Sequence, residues 1–163
     1  MIVTNRNELV SVCKEVSLFD AQEIINKLIQ ELLQSKTGVG LAANQIGIDA
    51  RVCIIRFRDP INLVNPVIIE SFDLMEFYNE GCLSFPDEFI TTARFNEIFV
   101  KDSIRPSGMV LTGFEAVAVQ HEIDHLNGIT MHDHEIQIPG TNAKCWCGKS
   151  KYKKCHKGMA IFS

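Results

Sequence analysis

The apolar positions of this chain fall into runs of two kinds, one spaced for helices and one for strands. Ile24, Ile25, Leu28, Ile29, Leu32 and Leu33 recur at the three- and four-residue steps of a helical face, behind the capping pair Asp20 and Glu23. The spacing predicts a helix from Asp20 that ends at Gly38, a residue type that accepts a left-handed terminus. Asn5 with Glu8 repeats the capping signal and predicts a short helix over Glu8–Val16. Strand-like runs follow at Arg51–Arg58, Ile61–Glu70, Glu88–Ala93, Glu97–Asp102 and Gly108–Thr112. Arg105-Pro106-Ser107-Gly108 reads as the turn joining the last two into a hairpin. A final helix is expected over Phe114–Asn127, stopped by Gly128. Strands and helices joined by short turns predict an α+β domain.

One stretch fits neither period. Gly38-Val39-Gly40-Leu41-Ala42-Ala43-Asn44-Gln45-Ile46-Gly47 is too rich in glycine for a helix and too apolar for a solvated loop. Its small residues let backbone approach something closely.

Composition adds bounds. The 163 residues are 46% hydrophobic and 22% charged, which suits one domain with a small appendage. The first residues lack a basic-then-apolar signal pattern, and no apolar run approaches the ~20 residues of a spanning helix. A cytoplasmic monomer with no membrane partner and no specific DNA target is therefore expected. The charge is divided: all 20 acidic residues precede Lys144, whereas Lys144, Lys149, Lys151, Lys153, Lys154 and Lys157 follow with no acid among them. An acidic body with a basic tail implies a separate task for the tail.

The cysteines are divided too. Cys13 and Cys53 sit in apolar segments as reduced core residues. Cys82 stands in the irregular run Glu80-Gly81-Cys82-Leu83-Ser84-Phe85-Pro86, and Cys145, Cys147 and Cys155 crowd together with His156. Without a signal peptide, such clusters are metal ligands more often than disulfides.

His121-Glu122-Ile123-Asp124-His125 carries the strongest chemistry. Residues four apart on a helix share a face, so His121 and His125 can hold one ion while Glu122 stays beside its water. Asp124 points away from that pair and suits a supporting carboxylate that orients a histidine. The extended zinc-protease pattern places its third histidine where this chain has Met131, with His132 one residue late, so that reading lacks a ligand. A catalytic site needs three protein ligands and an open position, and Cys82 is the best third candidate.

Three segments, Gly38–Gln45, Glu80–Ser84 and His121–His125, together resemble the signature blocks of the peptide deformylases, in the same order and at similar separations. The resemblance runs from about Val16 to Asp133. It implies a deformylase-like α+β fold, with antiparallel strands packed around a central metal-binding helix, over residues 1–139. It also implies hydrolysis of the N-formyl group from the initiator methionine of nascent peptides. The ion at Cys82, His121 and His125 would then be iron(II) in cells, with zinc, nickel or cobalt as alternatives. Glu122 would be general base and then acid, and the Gln45 amide and the Leu83 backbone N–H would hold the oxyanion. Gly40 and Gly81 would lie along the substrate backbone, with Val39, Phe114, Val117 and Ala118 around the methionine side chain. The chain departs from the family pattern in its short opening segment, at His134, where a basic residue commonly stands, and at Phe89, where relatives carry a polar or basic side chain. An inactive relative kept as a binding protein is the reading from a different class, and it has no need of an intact Gln45, Cys82, Glu122 and histidine pair.

Residues 140–163 are similar instead to the SEC-C zinc motif, with Cys145, Cys147, Cys155 and His156 as a closed structural zinc site. Three thiolates and one zinc leave this tail strongly basic, a surface suited to RNA phosphate and hence to association with the ribosome.

Overall fold

In the computed structural model, residues 1–162 are described; Ser163, the last position of the expected tail, lies outside them. The element order is α1 (Arg6–Leu9), α2 (Leu18–Gln34), β1 (Gly40–Ala42), β2 (Val52–Ile55), β3 (Ile61–Val64), β4 (Val67–Cys82), β5 (Phe85–Lys101), β6 (Met109–Thr112), α3 (Gly113–Leu126) and β7 (Ala160–Ile161). Short 3₁₀ turns follow β1 at Ala43–Ile46 and follow α3 at Met131–His134. This is a mixed α and β architecture of two sheets. One is antiparallel in the order β1-β2-β3; the other runs β6-β5-β4-β7, with β7 parallel to β4.

The first sheet lies between two helices. Ala21, Ile25, Leu28 and Leu32 of α2 pack with Leu41, Val52, Ile54 and Val64 in one core. Ala42, Cys53, Ile55 and Leu63 form the other core with Ala116, Val119, Ile123 and Leu126 of α3. Alternation along β2 is what sends neighbouring residues into different cores. Helix α3 has buried residues all round its axis, from Ala116 through Leu126, as a central helix must.

Several boundaries differ from those expected. Only Arg6–Leu9 is helical near the start, with Asn5 accepting from the Asn7 N–H. The run Val10-Ser11-Val12, all weaker helix formers than Ala or Leu, leaves the helix, and Cys13 N–H then donates to the Leu126 carbonyl at 2.9 Å. Helix α2 is capped by Ser17, whose Oγ accepts from Asp20 N–H at 3.1 Å, so Asp20 lies inside the first turn. It ends at Ser35 instead of Gly38, and its buried stripe is narrower than the apolar pattern, leaving Ile29 and Leu33 exposed. The run Ile61–Glu70 is cut at Asn65, which takes a left-handed φ of 53° before Pro66; its amide bonds Val16 on both sides, and the chain changes sheets there. The separate strands expected at 88–93 and 97–102 are one strand, β5. Its partner β4 is one residue shorter and the pairing has three register shifts. The β5–β6 hairpin closes as expected, with Gly108 N–H donating to the Arg105 carbonyl at 2.9 Å.

Candidate active site

Helix α3 delivers His121 and His125 one turn apart, and the end of β4 brings Cys82 to them. The two Nε2 atoms are 3.2 Å apart, and Cys82 Sγ is 3.2 Å from His125 Nε2. All three donor atoms lie within 4.8 Å of one another. Burial drives His125 well below its ordinary pKa, which keeps the ring neutral. Burial works the same way on His121, yet the Cys82 thiolate and Glu80 hold it well above its ordinary value. A soft sulfur, two imidazole nitrogens and this concentration of negative charge suit one divalent transition ion.

Glu122 sits beside the cluster and faces Gly40. A Cβ on Gly40 would come within 2.9 Å of the Glu122 Cδ, so glycine is needed for the close approach. Glu122 Oε2 is buried without a protein partner, free for a proton. Burial, opposed by His121 and reinforced by Glu80 and Asp124, pushes this carboxyl up to about 7. Gln45 is fixed by its own carbonyl, which accepts from Ala42 N–H at 2.9 Å. Its amide therefore points at Ser84 Oγ, 3.1 Å away, and at Cys82 Sγ, 3.5 Å away.

A buried ionic chain supports the histidine; Asp124 was expected in a supporting role, Glu80 and Arg94 were not. Glu80 Oε1 is 2.7 Å from His121 Nδ1. Arg94 forks onto Glu80 through Nε at 2.9 Å and Nη2 at 2.6 Å, and through Nη1 reaches Asp124 at 2.5 Å. Burial alone would favour a protonated Glu80, but Arg94 and His121 hold it well below the usual carboxylate range. Asp124 is thus a support, but for Arg94 and His134 and not for a cluster histidine. His132 turns to Glu88 at 2.8 Å and takes no part in the cluster. Glu80 was legible as part of a motif; Arg94, on the neighbouring strand β5, left no local signal.

A cavity of about 580 Å³ opens over Cys82, His121 and Glu122. Gln45, Leu83, Val39, Gly40, Gly81, Phe114, Val117 and Ala118 all line it, while His125 lies beneath. Phe77 and Phe85 also line it, and exposed Phe89 stands at the rim against Gly81. That size is typical of a small-molecule or peptide side-chain site.

The tail brings its four predicted ligands together as well. Cys145 Sγ and Cys155 Sγ lie 3.2 Å and 3.3 Å from His156 Nδ1, and Cys147 Sγ is 3.3 Å from Cys155 Sγ, too far for a disulfide. His156 Nε2–H donates to the Leu74 carbonyl at 2.9 Å, which leaves Nδ1 as the lone-pair atom facing the sulfurs. The four donor atoms lie within 4.8 Å of one another, the ligand number of a tetrahedral structural zinc site.

A family model described as Polypeptide deformylase matches residues 1–139. A peptide deformylase of Prochlorococcus marinus strain AS9601 is 41% identical over 123 residues, covering 68% of this chain and 61% of the relative. The match thus spans less than two thirds of that protein's length. The crystal structure of a peptide deformylase from Thermotoga maritima is similar with a TM-score of 0.74 at 32% identity, over 84% of this chain and 97% of that one. A class I type b peptide deformylase from Acinetobacter baumannii, solved with Met-Ala-Ser bound, gives 0.71 at 30% identity over 82% and 97%.

Proposed function

The chain belongs to the polypeptide deformylase family, and from that membership we propose that it removes the N-formyl group from the initiator methionine of nascent peptides, releasing formate. The observation that carries this reading is the convergence of Cys82, His121 and His125 beneath a cavity that also holds Glu122 and Gln45. Residues 1–139 are the catalytic unit and residues 140–163 a zinc-binding tail. Among the described residues no helix is long and apolar enough to cross a membrane. The cytoplasm is the proposed location.

Cys82, His121 and His125 would hold the ion, iron(II) in cells, with zinc, nickel or cobalt able to replace it. Bound there, it supplies the Lewis acidity that makes water nucleophilic at neutral pH. Glu122 takes the proton from the attacking water and returns it to the departing amine. The Gln45 amide and the Leu83 N–H receive the negative charge that develops on the formyl oxygen. Val39, Phe114, Val117 and Ala118 enclose the methionine side chain, and Gly40 and Gly81 give the substrate backbone room. Phe89 at the rim favours an apolar residue further along the peptide.

Cys145, Cys147, Cys155 and His156 hold a structural zinc in the SEC-C manner, and the six lysines around them face ribosomal RNA. Reversing the charge of Lys153 and Lys154 should weaken cosedimentation with ribosomes and flatten its salt dependence; unchanged binding removes that role.

The central test is formate release from formyl-Met-Ala-Ser under anaerobic conditions with iron(II) or nickel. Wild-type protein should release formate and Glu122→Ala should not. No release by the wild type overturns the deformylase reading, and undiminished release by Glu122→Ala overturns the mechanism.

A further inference from the structure

The tail packs into the body through β7, whose Ile161 is buried. Strand β7 adds to the outer edge of β4 in parallel, with Ala160 opposite Glu76 and Ile161 opposite Phe77. Phe77, Val117 and Ile161 form one buried cluster, with Met75 and Phe114 packed on it. Phe77, Phe114 and Val117 are also wall residues of the cavity, and the Phe77 and Phe114 rings stack with centroids 5.9 Å apart. Ile161 is therefore one layer behind the surface that meets the substrate.

A latch beside this contact ties it to the metal cluster. The Glu76 side chain is 0% exposed and has no salt-bridge partner among the described residues. Its carboxylate accepts from Tyr78 Oη at 2.6 Å, Trp146 Nε1 at 2.8 Å and Tyr152 Oη at 3.0 Å, so two of its three donors come from the tail. Trp146 stacks on His156, with centroids 4.3 Å apart. His156 is itself a cluster residue pinned to Leu74, two residues before Glu76 on β4. A buried carboxylate with only neutral donors is costly to strand, which makes the docked tail the state in which Glu76 is satisfied.

We infer that the tail is the supporting wall of the methionine pocket, with Ile161 as a positioning residue that sets which side chain the pocket accepts, and with the Cys145–His156 cluster and Glu76 as the clamp that holds it. This rests on the deformylase reading for the substrate, but not for the contact. Shortening Ile161 lets Phe77 and Phe114 fall back, so the pocket becomes larger and looser without any change at Cys82, His121, His125 or Glu122. Losing the tail ion acts in the same direction, because Trp146 and Tyr152 leave Glu76 and β7 loses its hold on β4.

The full chain and its Ile161→Ala, Ile161→Val and Cys147→Ser variants test this with two readouts. The first is turnover of formyl-Met-Ala-Ser against formyl-Phe-Ala-Ser. Ile161→Ala should raise KM for the methionine peptide about threefold to tenfold with kcat little changed, and should shift the kcat/KM ratio towards the phenylalanine peptide by a similar factor. Ile161→Val should restore most of the preference, and Cys147→Ser should resemble Ile161→Ala. The second readout is the fluorescence of Trp146, the chain's single tryptophan, during titration with Met-Ala-Ser. Wild type should give a saturable change that is weakened in Ile161→Ala and in Cys147→Ser. An unchanged side-chain preference in Ile161→Ala, or a Trp146 signal that ignores the peptide in wild-type protein, overturns the inference. Absence of turnover in every chain counts against the deformylase reading alone, and the Trp146 response then decides for or against the wall.

Discussion

Cys82, His121 and His125 stand on regular structure that the rest of the chain holds in place, whereas Cys145, Cys147, Cys155 and His156 stand on turns. The first cluster has α3 buried around its axis and Glu80 behind His121, with Arg94 behind Glu80. The second has short backbone bonds, such as Gly148 N–H to the Cys145 carbonyl at 2.9 Å, and a single docking face on β4. Both use thiolate and imidazole, yet one is assembled by the fold and the other has too little core to assemble itself. A set of three donors under a cavity leaves room for a reactant; a set of four matches the full tetrahedral complement of a structural zinc. Ligand chemistry thus says little about the task of a site, and its support and donor count say much.

The deepest separation between the two regions should come from Glu122→Ala, with kcat down on the order of 10² to 10⁴-fold and both metal equivalents retained. Formate release and elemental analysis measure the two quantities. In Cys147→Ser one equivalent should be lost while kcat on saturating formyl-Met-Ala-Ser stays within a few-fold of wild type. An equal collapse of kcat in both variants would erase the distinction. Next in size is Arg94→Met, which leaves Glu80 and Asp124 buried without their partner. Breaking such a pair costs about 3–5 kcal/mol of folding stability, read by denaturant titration. Zinc retention in the tail should not follow that loss at temperatures where the body remains folded.

Glu80→Gln sharpens the contrast at smaller cost. It removes the charge behind His121 and should weaken the catalytic ion about 10- to 100-fold, without effect on the tail ion. Competition with a chelator of known affinity separates the two. The smallest effect belongs to Tyr152→Phe, which takes one donor from Glu76 while Tyr78 and Trp146 remain. About 1.5 kcal/mol is expected, the lower end for a hydrogen bond to a charged group. It should appear as faster zinc release from the tail, and an unaltered rate would mean that Glu76 does not hold it.

The short-range features were legible in the residues. The pairing of His121 with His125 needs only the helical repeat, and Gly40 and Gly81 announced close approach before their neighbours were known. The grouping of Cys145, Cys147, Cys155 and His156 was legible from their spacing. What could not be read depends on partners far along the chain. Arg94 looks like one more strand residue until the β4–β5 pairing brings its guanidinium onto Glu80. Glu76 is an unremarkable acid until Trp146 and Tyr152 arrive. The long β5 was read as two pieces, and β4 beyond Glu70 was not read as strand, because their polar pattern reflects mixed exposure, not turns. The one true break, at Asn65, was hidden because an asparagine supplies its unusual φ as well as a glycine does.

The pairing of β7 with β4 also bears on the order in which this protein matures. Parallel pairing between segments so distant in sequence closes a long loop and is reached late in folding. The α3 helix and its histidines are complete well before Ile161 has been synthesised, since ribosomes build from the N-terminus. On the proposed role of Ile161, a molecule whose β7 has not yet docked would hold Cys82, His121 and His125 in place with one wall of its pocket missing. Its selectivity would then be finished last, when β7 docks.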